Sequence, residues 1–225
     1  MKATAIIPAY NEEKTIENVL RVAKESQFVD EVIVVDDGSF DNTAEIAKTN
    51  GARVVKMEKN SGKGQALDRG VKSANNEVLL FLDADLIGLE QRHLDFLLGP
   101  VLDKGYDMSV GAIDRSQLGS FLNNIFQRTE SPFSGIRAIK RDFWFKIPKK
   151  YKRDFYIESA ITYFAKKNNL KVCPLVLYGV SHVTKENKRG FWAGTKARWK
   201  MNFQIVFINI ALRLKKQHGF SNSGN

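Results

Sequence analysis

The sequence contains few residues that cross-link a fold, bind zinc or interrupt secondary structure: one cysteine, three histidines and five prolines among 225 residues. A lone Cys173 excludes a disulfide within the chain and a cysteine-rich zinc site, so a reducing compartment is the natural setting. The apolar run within residues 1–8 is far too short for the hydrophobic region of a signal peptide. We therefore expect a cytoplasmic protein.

Negative charge is also scarce, with 25 acidic side chains against 35 basic ones and a net charge of +10. Such a balance suits nucleic acid, an anionic membrane surface or a phosphate-rich substrate, and charge alone does not choose among them. The hydrophobic content of 43% and the charged content of 27% are those of an ordinary globular protein. The chain is long enough for one domain with a sizeable core.

Strand and helix patterns alternate along the first hundred residues. We predict strands at 2–8, 31–35, 53–57 and 78–83, and helices at 11–23, 43–48 and 64–74. Further strands at 106–112, 135–139 and 171–178 and a helix at 155–167 complete the prediction. This alternation is typical of an α/β fold whose mainly parallel, doubly wound sheet has helices on both faces.

One predicted strand runs directly into two carboxylates. The continuous apolar run 78–82 is typical of a strand buried on both faces, and Asp83, Ala84 and Asp85 follow it. With a strand's period of two, both aspartates project to one side and can share a cation. Paired carboxylates suit Mg²⁺ or Mn²⁺ better than softer metals. The alternative is a solvated loop after a strand.

Two other predicted strands also end in polar residues, at 9–11 and 36–39. In parallel sheets ligands bind beyond the carboxyl ends of the strands, so we expect three strand ends to meet at one crevice. Asp37 can accept hydrogen bonds from a nucleobase or a ribose, whereas Asp41 is typical of a helix cap. Lys63 lies between two glycines at a helix start, where a phosphate can bind. The spacing is not that of a Walker A motif, so ATP hydrolysis has no support.

The second half of the chain is less periodic. Residues 114–134 are polar and aromatic, and we expect a mobile flap over the site there. A basic loop at 185–190 precedes a predicted helix at about 193–216, whose apolar centre is too short to span a bilayer and has basic residues at both ends. We expect residues 193–225 to lie on an anionic membrane surface, or to pack on the domain or a second subunit.

Four ordered motifs resemble those of family 2 nucleotide-sugar glycosyltransferases of GT-A fold. They are Ile7-Pro-Ala-Tyr-Asn-Glu-Glu13, Val34-Val-Asp-Asp-Gly-Ser39, Gly62-Lys-Gly-Gln-Ala-Leu67 and Leu82-Asp-Ala-Asp-Leu86. The later segments Phe133–Arg137 and Phe155–Glu158, with His182, resemble the glucosyl-3-phosphoglycerate synthase branch. The basic, apolar C-terminal segment is instead similar to that of lipid-directed members. The resemblance implies a glycosyltransferase domain at residues 1–192.

The resemblance also implies roles for individual residues. Asp83, Asp85 and His182 would bind Mg²⁺ or Mn²⁺, and the catalytic residues would be Asp85 and Glu158, the latter as general base or as a contact to acceptor or sugar. The acceptor would contact Ser134, Gly135, Arg137, Lys188 and Arg189. The nucleotide sugar would contact Pro8, Ala9, Tyr10, Asn11, Glu12, Asp36, Asp37, Lys63, Asp83 and Ala84. The alternatives are an exposed helix residue for Glu158, a surface histidine for His182 and a solvated basic face.

These observations predict a metal-dependent transfer of a hexose from a UDP- or GDP-sugar to a phosphate-bearing or lipid acceptor at the cytoplasmic membrane face. The alternative is a soluble enzyme resembling glucosyl- or mannosyl-3-phosphoglycerate synthase. A sugar-phosphate nucleotidyltransferase would need a glycine- and arginine-rich loop where residues 8–11 stand. A nucleic-acid-binding module rests on charge alone and leaves the paired aspartates unexplained, so we expect no nucleic-acid partner.

Overall fold

The fold centres on a mixed sheet of seven strands, in a computed structural model that describes residues 1–113, 134–154 and 156–183. The strand order is β3-β2-β1-β4-β7-β6-β8, and two short strands, β5 and β9, pair separately. The strands are β1 Ala3–Ala9, β2 Val29–Asp36, β3 Arg53–Lys56, β4 Val78–Phe81, β5 Leu86–Ile87, β6 Met108–Ile113, β7 Arg137–Lys140, β8 Val172–Leu177 and β9 Ser181–His182.

The sheet is mainly parallel. Strands β1 to β3 are parallel to one another, β1 is parallel to β4 and β6 is parallel to β8, whereas β7 is antiparallel to both β4 and β6. Six α-helices are described, with a short 3₁₀ helix at Lys149–Tyr151: α1 Ile16–Glu25, α2 Thr43–Thr49, α3 Lys63–Ser73, α4 Gln91–Asp103, α5 Arg141–Phe145 and α6 Tyr156–Lys167. The predicted α/β fold is therefore confirmed.

Alternating side chains of the central strands bury both faces of the sheet. Ile7 and Leu80 belong to one apolar cluster with residues of α1 and α4, while Ile6 and Leu79 belong to a second with residues of α3, α5 and α6. Each such side chain is fully buried, which contributes about 1.5–3 kcal/mol of transfer free energy. The predicted placement of helices on both faces is correct, and it leaves the strand ends at the edge of the core.

Several boundaries differ from the sequence predictions for local reasons. Strand β4 ends at Phe81, so Asp83 and Asp85 lie on the turn before β5 and not on the strand. Helix α1 begins at Ile16 because Asn11 has a positive φ of 55° and the Glu12 carbonyl caps the first turn. Helix α4 was not predicted, although its buried Leu94, Leu97, Leu98 and Val101 have helical spacing.

Among the helices of the described residues, none combines the length and the apolar character needed to cross a bilayer. The predicted flap, apart from Ser134, and the predicted C-terminal helix lie outside the described residues. The division at residue 192 and the predictions of membrane contact or self-association therefore stay predictions.

Candidate active site

The carboxyl ends of β1 and β2 are tied together by hydrogen bonds. The Asp37 N–H donates to the Ala9 carbonyl at 2.8 Å, and the Asn11 N–H donates to Ser39 Oγ at 3.0 Å. Asn11 Oδ1 in turn accepts the N–H of Phe40 at 2.9 Å, and the Phe40 ring meets the edge of Tyr10 at 6.4 Å between centroids. These two strand ends therefore form one wall of a crevice.

Asp37 shapes that wall by holding residues 60–64, which we call the glycine turn. Its two carboxylate oxygens accept the N–H groups of Ser61 and Gly62, each at 2.8 Å. Burial raises the pKa of Asp37, and these two hydrogen bonds oppose the rise. The neighbouring Asp36 accepts the Ser39 N–H at 2.9 Å, so both aspartates are held by nearby backbone.

Lys63, near the end of the glycine turn, links the strand ends to the rest of the site. Its ammonium lies 2.5 Å from Asp83 Oδ1 and 2.5 Å from Glu158 Oε1. Burial lowers the pKa of Lys63, but the two carboxylates outweigh burial and raise it above the ordinary lysine value. The lysine is therefore a permanent cation between two carboxylates from distant parts of the chain.

Glu158 lies on α6 and is only 7% exposed, so the alternative of an exposed helix residue is wrong. Arg137 is fully buried beside it, donating to the Ser134 carbonyl at 2.7 Å and to Thr162 Oγ1 at 3.0 Å. Burial lowers the pKa of Arg137 to about 10, opposed by Glu158 and Asp83, so the guanidinium stays charged at neutral pH. Two cations thus neutralise a carboxylate-rich crevice floor.

Gly135 has no room for a side chain. A Cβ atom there would lie 2.7 Å from both carboxylate oxygens of Asp83 and would also meet the Lys63 ammonium. The adjacent Ser134 hydroxyl donates to the Gly111 carbonyl, which fixes the entry to β7. Of the predicted acceptor residues, Gly135 therefore lies against the Lys63–Asp83 pair, and Ser134 and Arg137 flank it in the chain.

Asp83, Asp85 and His182 offer ligand atoms that all lie within 4.8 Å of one another. His182 Nδ1 is 3.0 Å from Asp85 Oδ1, and Nε2 is 3.9 Å from Asp83 Oδ2. Burial lowers the pKa of His182, but the hydrogen bond to Asp85 and the charge of Asp83 outweigh it, so the net shift is upward. Two carboxylates and an imidazole are suitable donors for Mn²⁺ or Mg²⁺.

Strand pairing brings the histidine to the aspartates. Leu86 of β5 is paired with His182 of β9, and the Val183 N–H donates to the Asp85 carbonyl at 3.2 Å. The two aspartates therefore come together on the β4–β5 turn, not through the strand periodicity that predicted their proximity. No sequence signal predicted the β5–β9 pair, whose strands have two residues each.

The other residues that we predicted to contact the nucleotide sugar or the acceptor lie in several different parts of the chain. Glu12 braces the start of α1, where its carboxylate accepts the Thr15 hydroxyl at 3.0 Å, and its N–H donates to Thr43 Oγ1. Pro8 lies within β1, and Ala84 is buried between the aspartates. Lys188 and Arg189 lie outside the described residues.

Sequence reasoning missed Asp154, which adjoins the glycine turn. Its φ of +40° is unusual for a residue with a side chain, and its carboxylate lies where a Cβ on Gly62 would stand. Asp154 also adds a negative charge near Asp37. No motif distinguishes it, because its position depends on long-range packing.

Comparison with known proteins identifies the family of this chain. The family described as Glycosyl transferase family 2 matches residues 4–170. The chain belongs to that family. An uncharacterised protein of Methanocaldococcus jannaschii is 35% identical over 191 residues, covering 74% of this chain and 76% of that protein.

Two relatives with named activities match shorter parts. Glucosyl-3-phosphoglycerate synthase of Mycobacterium tuberculosis is 38% identical over 108 residues, which are 44% of this chain and 33% of that enzyme. Dolichyl-phosphate beta-glucosyltransferase of Trichomonas vaginalis is 41% identical over 97 residues, covering 36% of this chain and 28% of that enzyme. The chain thus aligns with about a third of each.

The similarity to solved structures covers more of this chain than the sequence similarity to these two enzymes. The M. tuberculosis synthase in complex with Mn²⁺, UDP and glucosyl-3-phosphoglycerate has a TM-score of 0.69 and 27% identity, over 81% of this chain and 72% of that one. A complex of the same synthase with Mg²⁺ and UDP has the same TM-score and identity, over 81% and 71% of the two chains. This chain is therefore a family 2 glycosyltransferase of GT-A fold.

Proposed function

We propose that this glycosyltransferase moves a hexose from a UDP-sugar to a hydroxyl of a small phosphate-bearing acceptor, a phosphoglycerate or a close analogue. The observation that carries the proposal is the meeting of three groups: the Asp83–Asp85–His182 cluster, the Lys63 ammonium and the buried Arg137. A nucleoside diphosphate needs positive charge beside it, which a divalent ion bound to this cluster would supply, while Lys63 and Arg137 offset the carboxylates of the crevice floor.

The donor half of the proposal rests on the wall formed by β1, β2 and the glycine turn. Asp37 uses one lone pair of each oxygen for Ser61 and Gly62, so each oxygen can still accept a hydrogen bond from a nucleobase. Tyr10 offers a ring face beside it, and Lys63 carries positive charge toward the diphosphate. The similarity to UDP-binding structures favours uridine as the nucleoside.

A divalent ion held by Asp83, Asp85 and His182 would neutralise the negative charge that develops on the leaving nucleoside diphosphate. The protein's own contribution is to fix those ligands. His182 is oriented by its pairing with β5, and Asp83 is fixed between the Lys63 ammonium and Gly135. Because these groups are already in place, little reorganisation is needed when the donor binds.

Glu158 is our candidate for the group that meets the acceptor hydroxyl or the transferred sugar. Its Oε1 accepts a hydrogen bond from Lys63, which holds the carboxylate beside Asp83 on the crevice floor. In that place it can accept a substrate proton or a substrate hydrogen bond. The two roles differ in whether glutamine can replace it.

The test is a panel of donors and acceptors assayed with the purified chain and Mn²⁺ or Mg²⁺. We expect UDP-glucose with 3-phosphoglycerate to give a glycosylated product, and UDP to raise the melting temperature because it binds only the folded state. Transfer to 3-phosphoglycerate without transfer to a polyprenyl phosphate supports the proposal. Product formation from the lipid acceptor alone contradicts it.

The second candidate is transfer to a lipid phosphate at a membrane face. It is favoured by the similarity to the dolichyl-phosphate enzyme and by the predicted basic and apolar helix at residues 193–216. The synthase similarity covers more of this chain, with 81% aligned in the structural comparison, so we rank the phosphoglycerate acceptor first. Co-sedimentation with anionic vesicles that salt does not abolish would favour the lipid acceptor.

A further inference from the structure

A pocket of about 490 Å³ lies behind the glycine turn, away from the cluster of Asp83, Asp85 and His182. This volume is in the range of small-molecule sites in proteins. Charged groups line much of it: Arg69, Lys149, Lys152, Arg153, Asp68 and Asp154. None of these residues has a role in the transfer proposed above.

One of the two acids at the pocket, Asp68, is already paired with cations. Asp68 accepts hydrogen bonds from Trp144 Nε1 at 2.8 Å and Lys152 Nζ at 2.9 Å, and it forms an ion pair with Lys72 at 2.5 Å. Asp154 directs its carboxylate to Gly62 on the glycine turn. Asp68 is therefore not available to neutralise further cations, and Asp154 contributes one negative charge against the cations that remain.

Three exposed cations remain at the pocket: Arg69, Lys149 and Arg153. Within the part of the chain that the structure describes, none of the three forms a salt bridge with a carboxylate. Like charges around one pocket repel one another, and a bound anion removes that repulsion. Two guanidinium groups also match the planar, multi-acceptor geometry of a phosphate.

The pocket shares its wall with the glycine turn. A Cβ on Gly64 would lie 2.6 Å from the Arg153 nitrogen and 2.6 Å from the Lys152 carbonyl carbon, so the two backbone segments are in direct contact. The buried Lys152 is anchored through Asp68, which leaves Arg153 as the nearby side chain able to respond to a ligand. A shift of residues 152–154 would therefore act directly on Gly64, the residue that follows Lys63.

We infer that this pocket is a second anion site, which binds the phosphate group of a small phosphate monoester through Arg69, Lys149 and Arg153 and alters donor affinity through the glycine turn. The site is distinct from the predicted acceptor residues around Arg137. It requires neither a metal ion nor transfer activity. The inference therefore goes beyond the proposed function and can fail independently of it.

The experiment titrates inorganic phosphate into the intact chain by calorimetry, at constant ionic strength, with UDP and Mg²⁺ held at saturation. The pocket variant is Arg69→Gln/Arg153→Gln. The matched control is Arg21→Gln/Arg92→Gln, which removes two exposed arginines on α1 and α4. Lys149→Gln serves as a second pocket variant if the double variant is unstable.

We expect saturable phosphate binding in the wild type and in the control, and at least about tenfold weaker binding in the pocket variant, because the variant loses its charge-assisted hydrogen bonds to phosphate. We also expect the UDP dissociation constant to depend on phosphate in the wild type and not in the pocket variant. Equal phosphate binding in pocket variant and control overturns the site. Binding that matches an added chloride control also overturns it.

Discussion

The two walls of the crevice hold their carboxylates in different ways. The first wall, which we call the nucleotide wall, consists of the ends of β1 and β2 and the glycine turn. There Asp37 is fixed by backbone N–H groups 24 and 25 residues further along the chain. The second wall, which we call the metal wall, consists of Asp83, Asp85, His182 and Glu158. There Asp85 contacts His182 across 97 residues, and Glu158 contacts Lys63 of the glycine turn across 95 residues. The first wall is built from successive β–α units, and the second depends on contacts between residues far apart in the chain, among them the separate pair of β5 and β9.

Because the two walls hold different groups, we expect substitutions on them to affect different steps of the reaction. If the proposed function holds, a change on the nucleotide wall would alter a turn and its contact with the base, which is a ground-state interaction. A change on the metal wall would alter the groups proposed to stabilise the developing charge of the transition state. Substitutions on the two walls should therefore separate into effects on KM and effects on kcat.

The largest effect is expected on the metal wall, from Asp85→Asn. Loss of a ligand charge should lower kcat/KM at least about a hundredfold, because metal stabilisation of the leaving group contributes several kcal/mol. Steady-state transfer assays with Mn²⁺ test this, and Asp103→Asn at the exposed end of α4 is the matched control. Full activity of Asp85→Asn, or full activity in excess chelator, contradicts the metal role.

Glu158→Gln tests what the buried carboxylate does. Glutamine keeps the shape and an acceptor oxygen but cannot take a proton, so a general base would lose about a hundredfold or more in kcat. A residue that only binds a hydroxyl would lose about tenfold, because the lost hydrogen bond is to a charged group. Turnover with saturating donor and acceptor decides between the two roles, and unchanged turnover removes Glu158 from the site.

Asp37→Ala should affect the nucleotide wall. The donor KM should rise about tenfold with kcat nearly unchanged, since the contact to the base is made equally in ground and transition states. The melting temperature should also fall, because two backbone N–H groups lose their acceptor at about 1–3 kcal/mol each. A collapsed kcat with an unchanged donor KM would move Asp37 out of the base pocket.

Much of this site was predictable because its motifs follow strands whose pattern is strong. The apolar run at residues 78–82 predicted a buried strand, and the polar residues after β1, β2 and β4 predicted that these strand ends meet at one crevice. The parallel order then brings those ends together. The nucleotide wall thus depends on local periodicity and turn chemistry, which a single sequence contains.

The metal wall was predictable only in part. The resemblance placed His182 and Glu158 near the aspartates, but no periodicity indicates the two-residue pairing of β5 with β9. The burial of Arg137 depends on packing between β7 and α6, and Asp154, which has a positive φ, lies against Gly62 from a distant part of the chain. Such contacts are long-range properties of the folded chain.

Asp68 offers the smallest expected effect and lies outside both walls. Burial raises the pKa of Asp68, but hydrogen bonds from Lys72, Trp144 and Lys152 outweigh burial and lower the pKa to about 2 from 3.8. A carboxylate with a lowered folded-state pKa stabilises the fold above its unfolded pKa, and that stability is lost as pH falls toward the folded value. The shift corresponds to about 2 kcal/mol of unfolding free energy near neutral pH.

Asp68→Asn should therefore lower the free energy of unfolding by about 2 kcal/mol near neutral pH, and the difference from wild type should shrink to about half near pH 3. Urea unfolding across that pH range measures it, with Asp103→Asn as an exposed control that should change little at any pH. Because Asp68 anchors the segment behind the glycine turn, the variant should also weaken UDP binding without lowering kcat. A stability difference that is constant with pH would show that Asp68 stabilises the fold through its shape and not through its charge.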